Sequence, residues 1–351
     1  MRWVVASPYF ETPSDRWISD SVTSDDHSFV LVPRIGQERN WHQSGPPRAT
    51  VREWSNRVRQ ARRAVDSDAD GIITVFPQLA AAAGSIKFAR RSDRPLVSWF
   101  FNTEGLTSLP KRSAARLALR HVDRFIVHST RETESYADLL GLPSDRFVYV
   151  PFQYGATVET EAPVDQDEPY VFATGSGYRD YETFFAAMQT LGYRTLVLAS
   201  DRVLAGLTVP PNVEILEQIT RPEIRRLVRH ARVNVVPLND GATTAGIVTI
   251  VETFRHGRSL VISDRPGIDD YIIDGKNALC TRLYDSRSMA DAIEAMWTDH
   301  QYRHDLDEAA LRFAEDNCTD EAAARSLVRV LDSVAAQGSG PDSTSGSAQT
   351  I

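Results

Sequence analysis

The sequence has few of the features that mark secreted, membrane-spanning or metal-binding proteins. Its 351 residues include only two cysteines, Cys280 and Cys318, which form neither a metal-ligand spacing nor a disulfide framework. No apolar run approaches the ~20 residues that a membrane-spanning helix requires. The apolar start at 1–10 is too short for a secretory signal with a cleavage site. These features predict a cytoplasmic protein.

An excess of positive charge is also missing. The formal net charge of −8 and the pI near 5.6 give no general attraction to a phosphate backbone, which argues against nucleic-acid binding as the main function. Apolar residues, by contrast, make up 42% of the chain and suffice for the cores of two ordinary domains. A disordered or fibrous chain is excluded.

Short apolar runs alternate with helical patterns through the N-terminal half. Strands are predicted at 2–7, 28–32, 71–76, 96–101, 124–128 and 148–152. Helices are predicted at 51–65, from Pro77, at 111–120 and from Ser129, where Glu132 completes a possible capping box. The alternation predicts a parallel, doubly wound sheet.

An acidic, proline-containing stretch at 156–169 predicts a linker, after which the same alternation restarts. The later strands are predicted at 170–174, 195–199, 213–216, 234–238 and 259–263, and the helices at 181–190, 221–230, 247–256, 286–297, 301–316 and 319–336. The predicted fold is α/β with two Rossmann-like domains, at 1–155 and 170–318. A terminal helix at 319–336 and a disordered Gly/Ser tail at 337–351 complete the prediction.

A small polar loop opens the helix that begins at Ile247. The loop runs from Asn239 to Thr244 and follows a strand end, where ligands bind in open α/β sheets and helix amides attract anions. Helical spacing places Thr249 and Glu252 off the buried stripe. A carboxylate there can accept hydrogen bonds from a ribose diol, or it is simply a solvated glutamate.

A second glycine-containing loop follows the strand at 170–174. It contains Gly175, Ser176 and Gly177, and Arg179 comes two residues later. The glycines allow a phosphate to approach the backbone closely, and an arginine can bind phosphate oxygens as a fork. The alternative is a surface arginine that caps the loop.

Four stretches resemble the retaining GT-B glycosyltransferases of the large glycosyltransferase family 4 type (glycosyl transferases group 1). They are Gly175–Met188, Ala231–Leu238, Ala245–Gly257 and Ser263–Leu279. The resemblance implies a hexosyltransferase that takes a nucleoside-diphosphate sugar, with the donor in the C-terminal domain and the acceptor in the N-terminal one. It also implies that the terminal helix crosses back to the first domain.

The resemblance assigns donor-binding and catalytic positions. Glu252 matches the family's ribose-binding glutamate, whereas Thr244 stands where the family has a glutamate near the sugar. The donor-binding residues are expected to be Gly175, Ser176, Gly177, Arg179, Thr243, Thr244, Ala245, Gly246, Ile247, Thr249 and Glu252. Arg179 is expected to stabilise the leaving diphosphate.

Two further catalytic candidates come from the N-terminal half. Asn102, followed by Thr103 and Glu104, stands where the family often has a histidine. His128 follows the next strand and either faces the cleft or serves the fold.

The expected chemistry depends on stabilising the leaving group and not on a protein nucleophile. No cofactor and no metal are expected, since no Asp-x-Asp motif stands at a strand end. The acceptor, whether glycan, lipid or small molecule, is not identified by the sequence. A sugar-nucleotide epimerase and a catalytically silent sugar-nucleotide-binding module are the alternatives.

Basic helices at 51–65 and 111–120 suggest one more partner. They are candidates for peripheral contact with anionic lipid at the inner face of the membrane, or they are ordinary solvated helices.

Overall fold

The computed structural model describes residues 1–36, 50–103, 106, 108–155, 168–217, 219–241 and 245–338. These residues form two compact units. The first contains residues 1–127, 133–148 and the chain from Ala324 onward, and the second contains His128–Glu132 and Tyr149–Ala323. Most of the predicted linker at 156–169 and most of the predicted tail at 337–351 lie outside the described residues.

The first unit is built on a six-stranded sheet with the order β2-β1-β3-β4-β5-β6. Its strands are β1 (Arg2–Ala6), β2 (Ser28–Val32), β3 (Gly71–Val75), β4 (Leu96–Trp99), β5 (Arg124–Val127) and β6 (Phe147–Tyr149). Its helices are α1 (Val51–Val65), α2 (Pro77–Arg90), α3 (Leu109–Leu119) and most of α4 (Thr130–Leu140). The recorded pairings of β1 to β5 are parallel.

The second unit has a sheet of the same kind, with the order β12-β11-β10-β7-β8-β9 and parallel pairings. Its strands are β7 (Val171–Thr174), β8 (Thr195–Leu198), β9 (Val213–Ile215), β10 (Val233–Val236), β11 (Leu260–Ser263) and β12 (Leu279–Thr281). Its helices are α5 (Tyr181–Leu191), α6 (Asp201–Leu204), α7 (Arg221–His230), α8 (Ile247–Arg255), α9 (Ser286–Thr298), α10 (His300–Asn317) and the start of α11 (Asp320–Gly338).

The predicted fold class is confirmed: both units are parallel α/β sheets with helices. The inner strands are continuous apolar runs because helices cover both faces of such sheets. In β3, for example, all five residues are buried. The predicted strands at 71–76, 96–101 and 234–238 extend one or two residues too far, and the short elements β12 and α6 were not predicted.

Helix α4 begins at the predicted capping position. The hydroxyl of its capping serine, Ser129, has a different hydrogen-bond partner from the one that a capping box predicts. The Glu132 carboxylate accepts a hydrogen bond from the Ser129 backbone N–H at 3.2 Å, as a capping box requires. The Ser129 hydroxyl, however, donates to Asp270 at 2.8 Å. The start of α4 is therefore anchored to the loop after β11.

The last helix, α11, contributes to both units. Its residues from Ala324 onward belong to the first unit, where Leu327 and Leu331 are fully buried. The His27 imidazole accepts from the Trp3 indole at Nδ1 (3.0 Å), so its Nε2–H donates to Asp332 on α11 at 2.9 Å.

Among the described residues, no helix has the length and apolar character to cross a membrane.

Candidate functional site

The second sheet reverses its strand order beside β7. The chain passes from β7 to β8 and β9 on one side, whereas β10, β11 and β12 lie on the other. The loops that leave the carboxyl ends of β7 and β10 therefore diverge to opposite faces of the sheet and leave a crevice between them. Both loops singled out in the sequence begin at this crevice.

Main-chain hydrogen bonds join the two loops. The Asp180 N–H donates to the Pro237 carbonyl at 2.8 Å, and the Asn239 N–H donates to the Tyr178 carbonyl at 3.1 Å. The buried Arg265 guanidinium adds bonds to the carbonyls of Asn239 and Gly241, at 3.0 and 2.9 Å. The loop backbones are thus held in one arrangement without a ligand.

Arg179 lies at the junction of these loops, and only 8% of its surface is exposed. Its guanidinium donates to the carbonyls of Thr174 and Gly177, at 3.3 and 2.8 Å, and to the Thr249 hydroxyl on α8 at 3.1 Å. Burial lowers the pKa of Arg179, but an arginine stays protonated at neutral pH. The site therefore contains a buried positive charge. Arg179 bonds to the loop carbonyls, as the capping alternative expects, but it is not a surface residue.

All the hydrogen-bond acceptors recorded for Arg179 are neutral. No carboxylate among the described residues forms a salt bridge with it. A buried charge without a counter-charge is unfavourable, so an anion bound at this point would be strongly stabilised.

Gly175 is required where Arg179 crosses the loop. Its φ is +107°, and a Cβ at this position would lie 2.7 Å from Nη2 of Arg179. The loop is further fixed by the Tyr181 hydroxyl, which donates to the Gly175 carbonyl at 2.7 Å, and by Ser176, whose hydroxyl accepts from the Ser200 N–H at 2.8 Å. A Cβ at Gly177 would meet no atom within 4 Å, so that part of the loop has open space beside it.

Helix α8 begins next to Arg179 and lacks a side-chain cap. Its N-cap residue is Gly246, with φ of +94°. No side chain of the described residues caps the first N–H groups of the helix, so these can donate to an anion, and the helix dipole adds partial positive charge. The predicted donor contacts of Ala245 and Ile247 are limited to the backbone because both side chains are buried in the core. Thr243 and Thr244 lie outside the described residues.

Glu252 lies one turn beyond Thr249 on α8 and is partly buried. Its carboxylate accepts a hydrogen bond from the Tyr154 hydroxyl at 2.6 Å, and Nε of Arg225 donates to the same hydroxyl at 3.2 Å. Burial and the nearby Glu252 raise the pKa of Tyr154 to about 12. Glu252 is therefore a partly buried acceptor oriented by Tyr154, and its contact with a ribose stays a prediction.

The site is thus a parallel-sheet crevice with a buried arginine, an uncapped helix start and an oriented carboxylate. Residues 179–299 match the family model of the glycosyl transferases group 1. The chain carries a glycosyltransferase domain. The match begins at Arg179 and covers both α8 and the loop before it.

Solved structures show that the whole chain, and not only this glycosyltransferase domain, has the GT-B fold. Sucrose-phosphate synthase from Thermosynechococcus elongatus superposes with a TM-score of 0.72 at 14% identity, covering 96% of this chain and 100% of that one. A glycosyltransferase from Rickettsia africae gives 0.66 at 10% identity, covering 95% and 98%. Anabaena HepE in complex with UDP and glucose gives 0.66 at 12% identity, covering 94% and 99%. No curated protein sequence matches the chain.

His128, the first of the two catalytic candidates from the N-terminal half, is buried and hydrogen-bonded within the fold. Only 6% of it is exposed, and its Nδ1 bonds to the Val150 carbonyl at 2.8 Å. Burial lowers the pKa of His128 to about 4, although the bond to Val150 opposes the shift. The imidazole is therefore neutral at physiological pH. These surroundings favour a structural role, and catalysis by His128 stays a prediction.

Asn102, the second candidate, lies in the first unit at the carboxyl end of β4. It is partly buried and, with Thr103, lines an apolar cavity. The neighbouring Glu104 lies outside the described residues.

Sequence reasoning missed three residues of the glycosyltransferase crevice: Tyr154, Arg225 and Arg265. Arg265 lies within a stretch that carried the family resemblance, so that stretch pointed to it without giving it a role. Tyr154 and Arg225 are separated from their partners by 71 to 98 residues. No local pattern connects positions so far apart, and only the folded structure brings them together.

Proposed function

We propose that this protein transfers a hexosyl group from a nucleoside-diphosphate sugar to an acceptor hydroxyl, with retention of configuration at the anomeric carbon. One observation carries the proposal: Arg179 is buried with no carboxylate partner among the described residues, beside a helix start that no described side chain caps. A diphosphate supplies the missing negative charge, and its oxygens accept from the guanidinium and from the α8 amides.

Glu252 completes the donor site in this proposal. A carboxylate has acceptor capacity beyond the bond to Tyr154, so its oxygens remain able to accept from the two hydroxyls of a ribose. The relatives support a nucleotide ligand, since HepE was solved with UDP, with UDP-glucose, and with UDP and glucose.

In the proposed reaction, the bond between the anomeric carbon and the diphosphate oxygen breaks as the acceptor oxygen bonds to the same carbon. The acceptor proton passes to the departing diphosphate. The developing negative charge lies next to Arg179 and the first turn of α8, which stabilise the transition state electrostatically. In this scheme the protein itself supplies the positive charge, and no metal or cofactor is invoked.

The proposal assigns the donor to the C-terminal domain and the acceptor to the N-terminal domain, as the resemblance implies. We place the reaction in the cytoplasm because the two cysteines, Cys280 and Cys318, are free thiols, as expected in a reducing compartment.

The test is a panel of radiolabelled nucleoside-diphosphate sugars incubated with the purified protein. Hydrolysis or transfer, with the anomeric configuration of the product read by NMR, supports the proposal. Formation of an epimer identifies a sugar-nucleotide epimerase instead. Tight binding without turnover identifies a silent binding module. Inversion of configuration at the anomeric carbon shows that the mechanism is not a retaining one.

A further inference from the structure

The first unit encloses an apolar cavity of about 580 Å³ between helices α1, α2 and α3 and the end of β4. This volume is within the range of small-molecule binding sites. The walls are mainly alanine, aliphatic and aromatic side chains, including Trp54, Val58, Ala81, Ile86, Phe101 and Ala115. The polar groups Asn102 and Thr103 stand at the strand end.

The described residues that line this cavity carry positive charge only. Among its described lining residues Lys111 alone is charged, and it is exposed and forms no ion pair with a described residue. The helices around it repeat the pattern: α1 carries five arginines and one glutamate, and α3 carries one lysine, two arginines and no acidic residue. This local excess of positive charge contrasts with the net charge of −8 for the whole chain.

Apolar surface continues from the wall to the outside. Trp54 and Val58 line the cavity, yet they are 41% and 43% exposed. Val51 lies one turn before Trp54 on the same stripe of α1 and is 89% exposed. Exposed apolar side chains beside a basic helix face are typical of surfaces that contact anionic lipid.

We infer that the acceptor is an anionic lipid whose apolar chain enters this cavity while its headgroup lies at Lys111. The inference rests on the proposed function for its transfer step, which names the first unit as the acceptor domain. An apolar cavity with a single cation at its edge matches an amphiphile with one anionic group. A soluble glycan acceptor, in contrast, would leave its hydroxyls unpaired against these apolar walls.

The test measures binding of octyl, decyl and dodecyl phosphate, each below its critical micelle concentration, by isothermal titration calorimetry. Chain burial strengthens binding about fourfold per methylene, equal to ~0.8 kcal/mol. We therefore expect the dissociation constant to fall about fifteenfold from octyl to decyl phosphate. No dependence on chain length would overturn the inference.

Filling the cavity should abolish this dependence. Ala115→Phe places an aromatic ring in the cavity, and Ser113→Phe is the matched control because Ser113 is exposed on the same helix and does not line the cavity. If Ala115→Phe does not fold, Ala114→Phe fills the cavity from an exposed lining position. Equal affinities in the filled and control variants would overturn the inference.

The headgroup is tested separately with Lys111→Gln. We expect binding of decyl phosphate to weaken about fivefold, a typical effect for a partly exposed ion pair. Binding of the uncharged decyl maltoside should stay the same. An equal change in affinity for both probes would show that Lys111 does not contact the headgroup.

The two proposals fail in different ways. If the protein hydrolyses a nucleotide sugar but binds no alkyl phosphate, the lipid inference is wrong and the proposed function stands. If alkyl phosphates bind in the cavity but no nucleotide sugar binds, the cavity stands as a lipid site and the proposed function is wrong.

Discussion

At the scale of single residues, Arg179 combines a structural and a functional position. It holds the loop after β7 through two carbonyls and reaches α8 through Thr249. Truncation to alanine would remove these contacts and leave a cavity, so the charge is better tested with a side chain of similar length.

We expect Arg179→Met to lower turnover by roughly a hundred- to thousandfold, since loss of one transition-state charge partner commonly costs ~2.7–4 kcal/mol. Turnover with a verified donor is measured beside a melting curve. Arg194→Met is the control, because Arg194 is a half-exposed cation of the same unit that pairs with Glu168. Wild-type turnover in Arg179→Met would show that the diphosphate binds elsewhere.

Glu252→Gln tests the ribose contact. A glutamine oxygen still accepts from Tyr154, so the thermal midpoint should change little, whereas donor affinity should fall about tenfold because hydrogen bonds to a charged group are the stronger ones. Titration calorimetry with the donor gives the affinity. Glu182→Gln, at an exposed position of α5, is the control, and unchanged affinity for every donor would refute the role of Glu252.

His128 predicts a pH dependence of stability. Its pKa is lowered from 6.5 to about 4 in the folded protein, so the unfolded chain binds the proton more readily. The contribution of neutral His128 to the free energy of unfolding is fully present above about pH 6.5. It is lost as the pH falls toward 4, and the loss is on the order of 3 kcal/mol. Denaturant unfolding across this range should show a smaller loss for His128→Gln than for wild type. His304→Gln, at an exposed position, should lose as much as wild type; equal losses in all three proteins would contradict the prediction.

At the scale of elements, the loop after β7 contains a glycine with a positive φ, Gly175. Gly175→Ala places a Cβ against the Arg179 guanidinium and forces an alanine to a positive φ. We expect a destabilisation of about 1–3 kcal/mol and about tenfold weaker diphosphate binding. Gly192→Ala is the control outside the site, because Gly192 also has a positive φ, of +71°, while its Cβ meets no atom within 4 Å. Melting curves and titration calorimetry compare the two, and equal behaviour would show that the loop does not position Arg179.

The elements also show what sequence can and cannot predict. The bounds of α1 and α7 were predicted to the residue, because helical periodicity is strong in both helices and a Thr–Glu capping box marks each N-terminus. The strand β12 was missed because its three residues, Leu-Cys-Thr, form no continuous apolar run. The contact of Tyr154 with Glu252 was missed for another reason: it depends on tertiary packing, which local periodicity does not encode.

At the scale of the whole molecule, the chain has a negative net charge but carries two basic helices, α1 and α3. We propose that helices α1 and α3 attract anionic lipid locally, although the net charge of the whole protein is negative. We expect the protein to float with vesicles of 70:30 phosphatidylcholine and phosphatidylglycerol at low salt, and to be released at high salt.

Substitution of three exposed arginines of α1, Arg52, Arg59 and Arg63, by glutamine should weaken this binding at least about tenfold, since each basic residue near the surface contributes ~1 kcal/mol. The same change at three exposed arginines of the second unit, Arg202, Arg226 and Arg287, is the control. Vesicle binding that does not depend on salt would contradict a role for α1. The same holds if the two triple substitutions weaken binding equally.

The division of α11 between the units has a consequence for biosynthesis. The first unit contains residues from Ala324 onward, so the partner of His27 on α11 is made long after the first sheet has emerged from the ribosome. At roughly 5–20 residues per second, the intervening segment of about 175 residues takes on the order of ten to thirty-five seconds to synthesise. Throughout that interval the nascent first unit lacks its part of α11, and the protein completes its N-terminal domain last.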